Sequence, residues 1–151
     1  MDLRRIDLET TLPLRQKYLR PYLRISECRL PTDEHPLACH FGAYDNTQLL
    51  GVVSVAPAEI SNQCQQQAWQ LRMMATREDA RLQGVGRHLV AAVIAHVQGQ
   101  GATCLWCNAR VRAQGFYQKQ GFAVVGNVFN IEPIGPHVKM LLDIKEPLSF
   151  V

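Results

Sequence analysis

No stretch of this 151-residue chain is apolar for long enough to cross a membrane as a helix, and no apolar run follows the basic pair Arg4-Arg5. Neither a membrane span nor a secretory leader is expected, and the expected location is the cytoplasm. Charge of one sign is also scarce: 16 Lys+Arg stand against 13 Asp+Glu, and the formal +3 is scattered along the chain. A nucleic-acid module would carry a basic stripe with interleaved aromatics, and neither is evident, so no nucleic-acid partner is expected. No Gly-Lys-Ser/Thr is present, which excludes a P-loop, and Leu89 stands where a dinucleotide fingerprint needs its third glycine. The five cysteines are odd in number and have no secretory context, so reduced thiols are expected. Cys104 and Cys107 lie in a strand-like run, where residues three apart face opposite sides, so a shared metal or disulfide is not expected. His88 and His96 fall on one helix without a carboxylate or third ligand, and no metal site is expected there.

What is present is enough apolar material, 47% of residues, for one core, and a single domain over 1–151 is expected. Apolar spacing predicts a helix from about Glu9 to Tyr22, capped at Thr10 or Thr11 with Pro13 in its first turn. The segment between Pro21 and Pro31 is open between a loop and a short helix. Two β-rich runs, Leu37–Tyr44 and Leu49–Ala56, flank a polar link and predict an antiparallel hairpin ending at Pro57. A Gln-rich loop over Ser61–Gln67 follows. From Ala68 the pattern has period two, then Val85, Leu89, Val93 and Val97 trace a helix stopped by Gly99 and Gly101, and Cys104–Cys107 give a buried strand. A short helix over Ala113–Gln120 closed by Gly121 and strands over Phe122–Phe129 and Val138–Ile144 complete the chain. The expected class is α/β (α+β), a mixed, mostly antiparallel twisted sheet flanked by helices, with one parallel pair.

The chemistry concentrates in Arg81-Leu82-Gln83-Gly84-Val85-Gly86-Arg87 at the start of the central helix. A helix N-terminus presents unpaired N–H groups and a partial positive charge, so it binds anions. Glycine lets the main chain approach a pyrophosphate, and Arg81 and Arg87 add charge on either side.

This run resembles the Q/R-x-x-G-x-G/A signature of the GNAT acetyltransferases. Downstream, Ala113-Gln114-Gly115-Phe116-Tyr117-Gln118-Lys119-Gln120-Gly121-Phe122 is similar to the family's A-x-x-F-Y-x-x-x-G-F segment, at the usual distance. Element order agrees over nearly the whole chain, and Leu105–Arg110 and Ile134–His137 look most like small bacterial members related to ElaA. The resemblance implies an N-acetyltransferase that moves acetyl from acetyl-coenzyme A to a primary amine within a ternary complex, with a splayed parallel strand pair admitting the cofactor. It assigns the pyrophosphate to the amides from Gln83 to Arg87, with Arg81 beside them, and the pantetheine arm to the strand at Met73, Met74 and Ala75. It assigns the general acid to Tyr117, because collapse of a tetrahedral intermediate is eased when the leaving sulfur takes a proton. A backbone N–H at Met74 would stabilise the oxyanion.

Many relatives have Asn six positions before the Phe; here Arg110 stands there and Asn108 two residues earlier, so either contacts coenzyme A. Where relatives often have a strand Glu as general base, this chain has Gln70 and Arg72. Glu59, Glu132, His40 and His137 are the alternatives, with His137 placed between a turn and a strand. Trp69 and Trp106 are expected in the core. The acceptor, a small-molecule or peptide amine, has no recognisable motif, and a homodimer is possible. A non-catalytic acyl-coenzyme A sensor and a nucleotide- or nucleic-acid-binding module are the rival readings.

Overall fold

A computed structural model describes residues 1–60 and 67–145. The strands are β1 (Asp2–Ile6), β2 (Cys39–Asp45), β3 (Gln48–Pro57), β4 (Ala68–Thr76), β5 (Cys104–Arg110), β6 (Ala123–Ile131) and β7 (Gly135–Asp143), and the helices α1 (Leu8–Leu19), α2 (Val85–Gly99) and α3 (Gln114–Lys119). Short 3-10 turns cover Ile25–Cys28, Pro31–Glu34, Glu78–Gln83 and Val111–Ala113. The strands follow the order β1-β2-β3-β4-β5-β7-β6 in one mixed sheet. The β1–β2, β2–β3, β5–β7 and β6–β7 ladders are antiparallel, and β4–β5 is parallel. This is the expected α/β class. The chain divides into two compact units, Met1–Pro57 with Leu71–His96, and Ala58–Gln70 with Val97–Val151.

In the first unit, α1 begins at Leu8, one residue before the expected Glu9, with its cap about one turn earlier than expected. Asp7, not Thr10 or Thr11, is the N-cap, and its Oδ1 accepts from the Thr10 N–H at 2.9 Å. Pro13 consequently lies inside the helix, where it removes one main-chain bond, and Tyr22 lies beyond the helix and is exposed. β1 carries no clear alternation and was not expected; it pairs with β2 from Asp2↔Tyr44 to Ile6↔His40. The segment left open between Pro21 and Pro31 contains the first 3-10 turn. The hairpin link is two residues, tightened by Asn46 at φ 55°. Leu14, Val52 and Ala75 form an apolar cluster, joined by Ile6, Tyr18, Leu19 and Leu49.

Beside that cluster the first unit buries a polar network. Arg15 is fully buried and forms a forked pair with Asp33, Nη1 to Oδ2 at 2.8 Å and Nη2 to Oδ1 at 2.9 Å. It also donates to the Cys28 carbonyl at 3.0 Å and the Ser54 hydroxyl at 2.7 Å, and His40 Nδ1 lies 2.7 Å from the same hydroxyl. Burial raises the Asp33 carboxyl pKa, but hydrogen bonds from Arg15 and the Leu30 N–H outweigh it and hold the group below its ordinary value.

Burial holds His40 and His96 below their ordinary 6.5. For His40 the Asp33 and Asp7 carboxylates oppose the shift, while Arg15 and Arg5 reinforce it. As pH falls through 6.5 the unfolded chain therefore takes up protons first. Stability is intact above that pH and declines below it. Unfolding free energies from urea titrations at pH 7.5 and 5.5 should be lower at pH 5.5, and an equal or higher value there contradicts the assignment.

In the second unit, β5 is buried over Cys104–Cys107 and is flanked by β7, from Cys104↔Asp143 to Arg110↔His137. Ile60, Ala68, Cys104 and Trp106 cluster with Ala58 and Leu141, and Trp106 Nε1–H donates to the Ala58 carbonyl at 2.8 Å. Trp69 and Trp106 are thus core residues as expected. Cys104 and Cys107 are buried thiols outside any disulfide, and burial pushes Cys107 up to about 12. The final strands run from Ala123 and from Gly135, with β7 lying antiparallel to both β5 and β6. The greater part of the expected Gln-rich loop, 61–66, lies outside the described residues.

Candidate active site

Within the first unit, the run Arg81–Arg87 forms the entry to α2. The Glu78–Gln83 turn ends at Gly84 in the left-handed region, φ 75° and ψ 19°, a conformation that costs an L side chain roughly 1–2 kcal/mol. The first main-chain bond of the new helix runs from the His88 N–H to the Gly84 carbonyl at 3.1 Å. The N–H groups of Val85, Gly86 and Arg87 precede it and point out of the helix start. Val85 is fully buried and anchors the turn, whereas Arg81, Gln83 and Arg87 are exposed. A Cβ added at Gly84 would meet only side-chain ends, the nearest being Arg87 Nη2 at 3.4 Å. The mouth of the turn is therefore open, with one guanidinium hanging over it.

Gly51 on β3 explains how this turn is seated. A Cβ there would lie 2.7 Å from the Val85 side chain, 3.1 Å from that of Leu89 and 3.2 Å from the Ala75 carbonyl. Its hydrogen lets the first turn of α2 and the end of β4 close on β3 together. Gly51 was not singled out from the sequence. A glycine interrupting a β-rich run is the signal that marks such close approaches.

β4 does not keep the simple alternation its first residues suggest. Ala68–Leu71 are all buried, and Met73 adopts φ 54°, a genuine strain for a non-glycine residue inside a strand. The parallel ladder to β5 covers only Ala68↔Cys104, Trp69↔Leu105 and Gln70↔Trp106, all within the second unit. Met73, Met74 and Ala75 belong to the first unit, where Ala75 packs in the Leu14–Val52 cluster. The strand is thus distorted at the residues assigned to the pantetheine arm.

The second unit holds the remaining candidates. Tyr117 on α3 is buried between Phe116 and Phe122, with edge-on ring contacts at 5.1 and 5.4 Å between centroids. Burial, helped by Cys107, drives its hydroxyl pKa far above the ordinary 10.0, so the group stays protonated at every physiological pH. No hydrogen-bond partner for that hydroxyl is found among the described residues. Asn108 on β5 is paired with Lys139 in register, and its buried Oδ1 has no hydrogen-bond partner. A buried amide oxygen left unmet costs free energy until a donor arrives. Arg110 faces His137 across the β5–β7 ladder and lines a groove of about 170 Å³ with Val111, Arg112, Ile134 and Pro136. His137 is buried beside Phe129 and donates from Nδ1–H to the Gly135 carbonyl at 2.8 Å, which leaves Nε2 as the ring's acceptor nitrogen. Among the alternative bases, His40 is committed to Ser54 and Glu132 accepts from the Asn130 side chain.

A parallel pair with a short ladder, a distorted strand and a helix start with outward N–H groups are features that an acyltransferase of the coenzyme A-dependent kind would need. Residues 2–122 match the model of the Acetyltransferase (GNAT) family, and the chain belongs to that family. It is 31% identical over 140 residues to the uncharacterized N-acetyltransferase YitI of Bacillus subtilis (strain 168), covering 93% of this chain and 94% of that one. An aminoglycoside 6'-N-acetyltransferase complexed with coenzyme A has the same fold, with a TM-score of 0.76 at 17% identity, covering 99% of this chain and 100% of that one. The ribosomal-protein-S18-alanine N-acetyltransferase from Escherichia coli gives a TM-score of 0.74 at 17% identity, covering 99% of each. The chain is accordingly an N-acetyltransferase with acetyl-coenzyme A as donor, and no described helix is long and apolar enough to cross a membrane.

Proposed function

We propose that the protein transfers acetyl directly to a primary amine of a small molecule or peptide in a ternary complex, as a single domain acting in the cytoplasm. The observation that carries this reading is the open helix start at Gly84–Arg87, with Val85 fully buried beneath it. Buried cysteines outside any disulfide suit a reducing compartment. That β4 and α2 each run unbroken from one compact unit into the other supports one domain.

Each unit, taken by itself, has a feature that fits part of the cofactor: in the first, three outward N–H groups at a helix start suit a pyrophosphate; in the second, the unmet Asn108 Oδ1 suits an amide N–H of the pantetheine arm. Bound acetyl-coenzyme A supplies an activated acetyl thioester. Arg81 and Arg87 neutralise phosphate charge, and Gln83, Gly84, Val85 and Gly86 shape the main-chain cradle. The strand from Met73 to Ala75 hydrogen-bonds the arm, and the Met74 N–H meets negative charge developing on the acetyl oxygen. Tyr117 would give a proton or hydrogen bond to the leaving sulfur; burial keeps the phenol protonated, while making it a weaker acid than a free tyrosine. His137 Nε2 takes a proton from the attacking amine, its ring fixed by the Gly135 carbonyl. Asn108, rather than Arg110, is the favoured contact to the arm, because its oxygen is the one left without a partner.

The reading is tested by following thiol release from acetyl-coenzyme A against a broad amine panel. Turnover with at least one amine above the hydrolytic background is expected. Coenzyme A binding without transfer to any amine would favour the sensor reading.

A further inference from the structure

Arg72 lies on β4 immediately before the strained Met73, at the strand position where the resemblance led one to look for a base. Its side chain is largely withdrawn from solvent, and burial lowers its pKa. Yet no carboxylate, carbonyl or hydroxyl among the described residues meets its guanidinium. The one anion whose field reaches it from the neighbouring elements is Asp33, and both oxygens of Asp33 are already taken by Arg15, with the Leu30 N–H on one of them. The other charges acting on it, those of Arg20 and Arg15, are positive. The first unit therefore sets three arginines, the buried Arg15 and the half-buried Arg20 and Arg72, around a single carboxylate. Arg72 is half-buried and its guanidinium, with five donors and no acceptor within the described residues, is open to a ligand that brings an oxyanion.

We propose that Arg72 binds the carboxylate of the acceptor, so that the amine acetylated by this enzyme belongs to an amino acid or another small amine bearing a carboxylate. The inference rests on the acetyl-transfer reading and narrows its substrate. Arg20 adds favourable field without supplying the fork. Asp33, neutralised by Arg15, does not compete for the site. Arg72 lies on β4 two residues before Met74, so a carboxylate held by it would lie near the amide that meets the acetyl oxygen.

The test compares free amino acids with their primary amides and with the amines that lack the carboxyl group, for the wild type and for Arg72→Gln and Arg72→Lys. Wild-type kcat/KM should favour the carboxylate-bearing partner by about 10- to 100-fold, mostly through KM. Arg72→Gln should erase that preference while leaving the carboxyl-free amines unchanged, and Arg72→Lys should restore part of it. Because the wild-type charge is unmet, the melting temperature of Arg72→Gln should equal or exceed that of the wild type, whereas a purely structural arginine would lower it. In a binding arm that needs no turnover, N-acetyl amino acids should stabilise wild type, but not Arg72→Gln, against heat, and their amides should stabilise neither. Absence of a carboxylate preference in both arms, or its persistence in Arg72→Gln, overturns the proposal even if acetyl transfer is established. No transfer to any amine, with the binding preference intact, would sink the enzyme reading and leave the carboxylate site standing.

Discussion

Tyr117→Phe should lower kcat for acetyl transfer by at least roughly 100-fold while leaving the affinity for coenzyme A within a factor of about 2. The phenyl ring keeps both edge-on contacts, to Phe116 and Phe122, so the substitution removes the hydroxyl and little else. A buried phenol with its pKa driven upward cannot serve as a base near neutrality, but it can donate, and a departing thiolate is what needs a donor. The measurement is steady-state kinetics beside a coenzyme A titration. An unchanged kcat would show that the sulfur leaves unassisted or takes its proton from elsewhere, and would reduce Tyr117 to a core aromatic.

Arg15→Ala should be the most damaging substitution away from the cofactor, with an expected loss of about 3–5 kcal/mol in unfolding free energy. The reason is what it leaves behind. The Asp33 side chain is only 3% exposed, and without Arg15 its charge would be buried with one N–H for company. Ser54 and the Cys28 carbonyl would also lose a donor. Replacing both partners, Arg15→Met with Asp33→Leu, should recover much of the loss, because the cost lies in the orphaned charge rather than in the pair itself. Urea denaturation of the wild type and the two variants separates these outcomes, and a loss below about 1 kcal/mol for Arg15→Ala would mean that water reaches Asp33.

How much of this was legible beforehand depended on whether the signal was local. The central helix, its glycine stops and the buried Cys104–Cys107 strand follow from periodicity, since Val85, Leu89, Val93 and Val97 are all fully buried in the molecule. The family motifs brought the Arg81–Arg87 turn and Tyr117 into view because both depend on short runs of adjacent residues. Other features arise from contacts distant in sequence. β1 is held by its ladder to β2, not by its own pattern. The Asp7 cap competes in sequence with Thr10 and Thr11, which also cap helices, although aspartate is the stronger capping residue. Met73 gives no hint of its positive φ, which the strand adopts through its neighbours rather than through a glycine. The Arg15–Asp33 pair joins residues 18 apart across two turns, and no spacing rule connects them. Arg72 stands where relatives often have a strand Glu, and from sequence it could line the cleft or lie on the sheet; its lack of an acceptor among the described residues is what points to a ligand-binding group.

The claim on which the rest depends is that the amides opening α2 receive the phosphates of the acyl carrier. The direct measurement is an amide proton–nitrogen correlation spectrum titrated first with coenzyme A and then, separately, with inorganic pyrophosphate. Val85, Gly86 and Arg87 should show downfield amide shifts that saturate with coenzyme A, and the same three should move in the same direction with pyrophosphate alone. If coenzyme A leaves these three resonances in place, whether or not others move, the cradle is not where the carrier binds and the account is wrong.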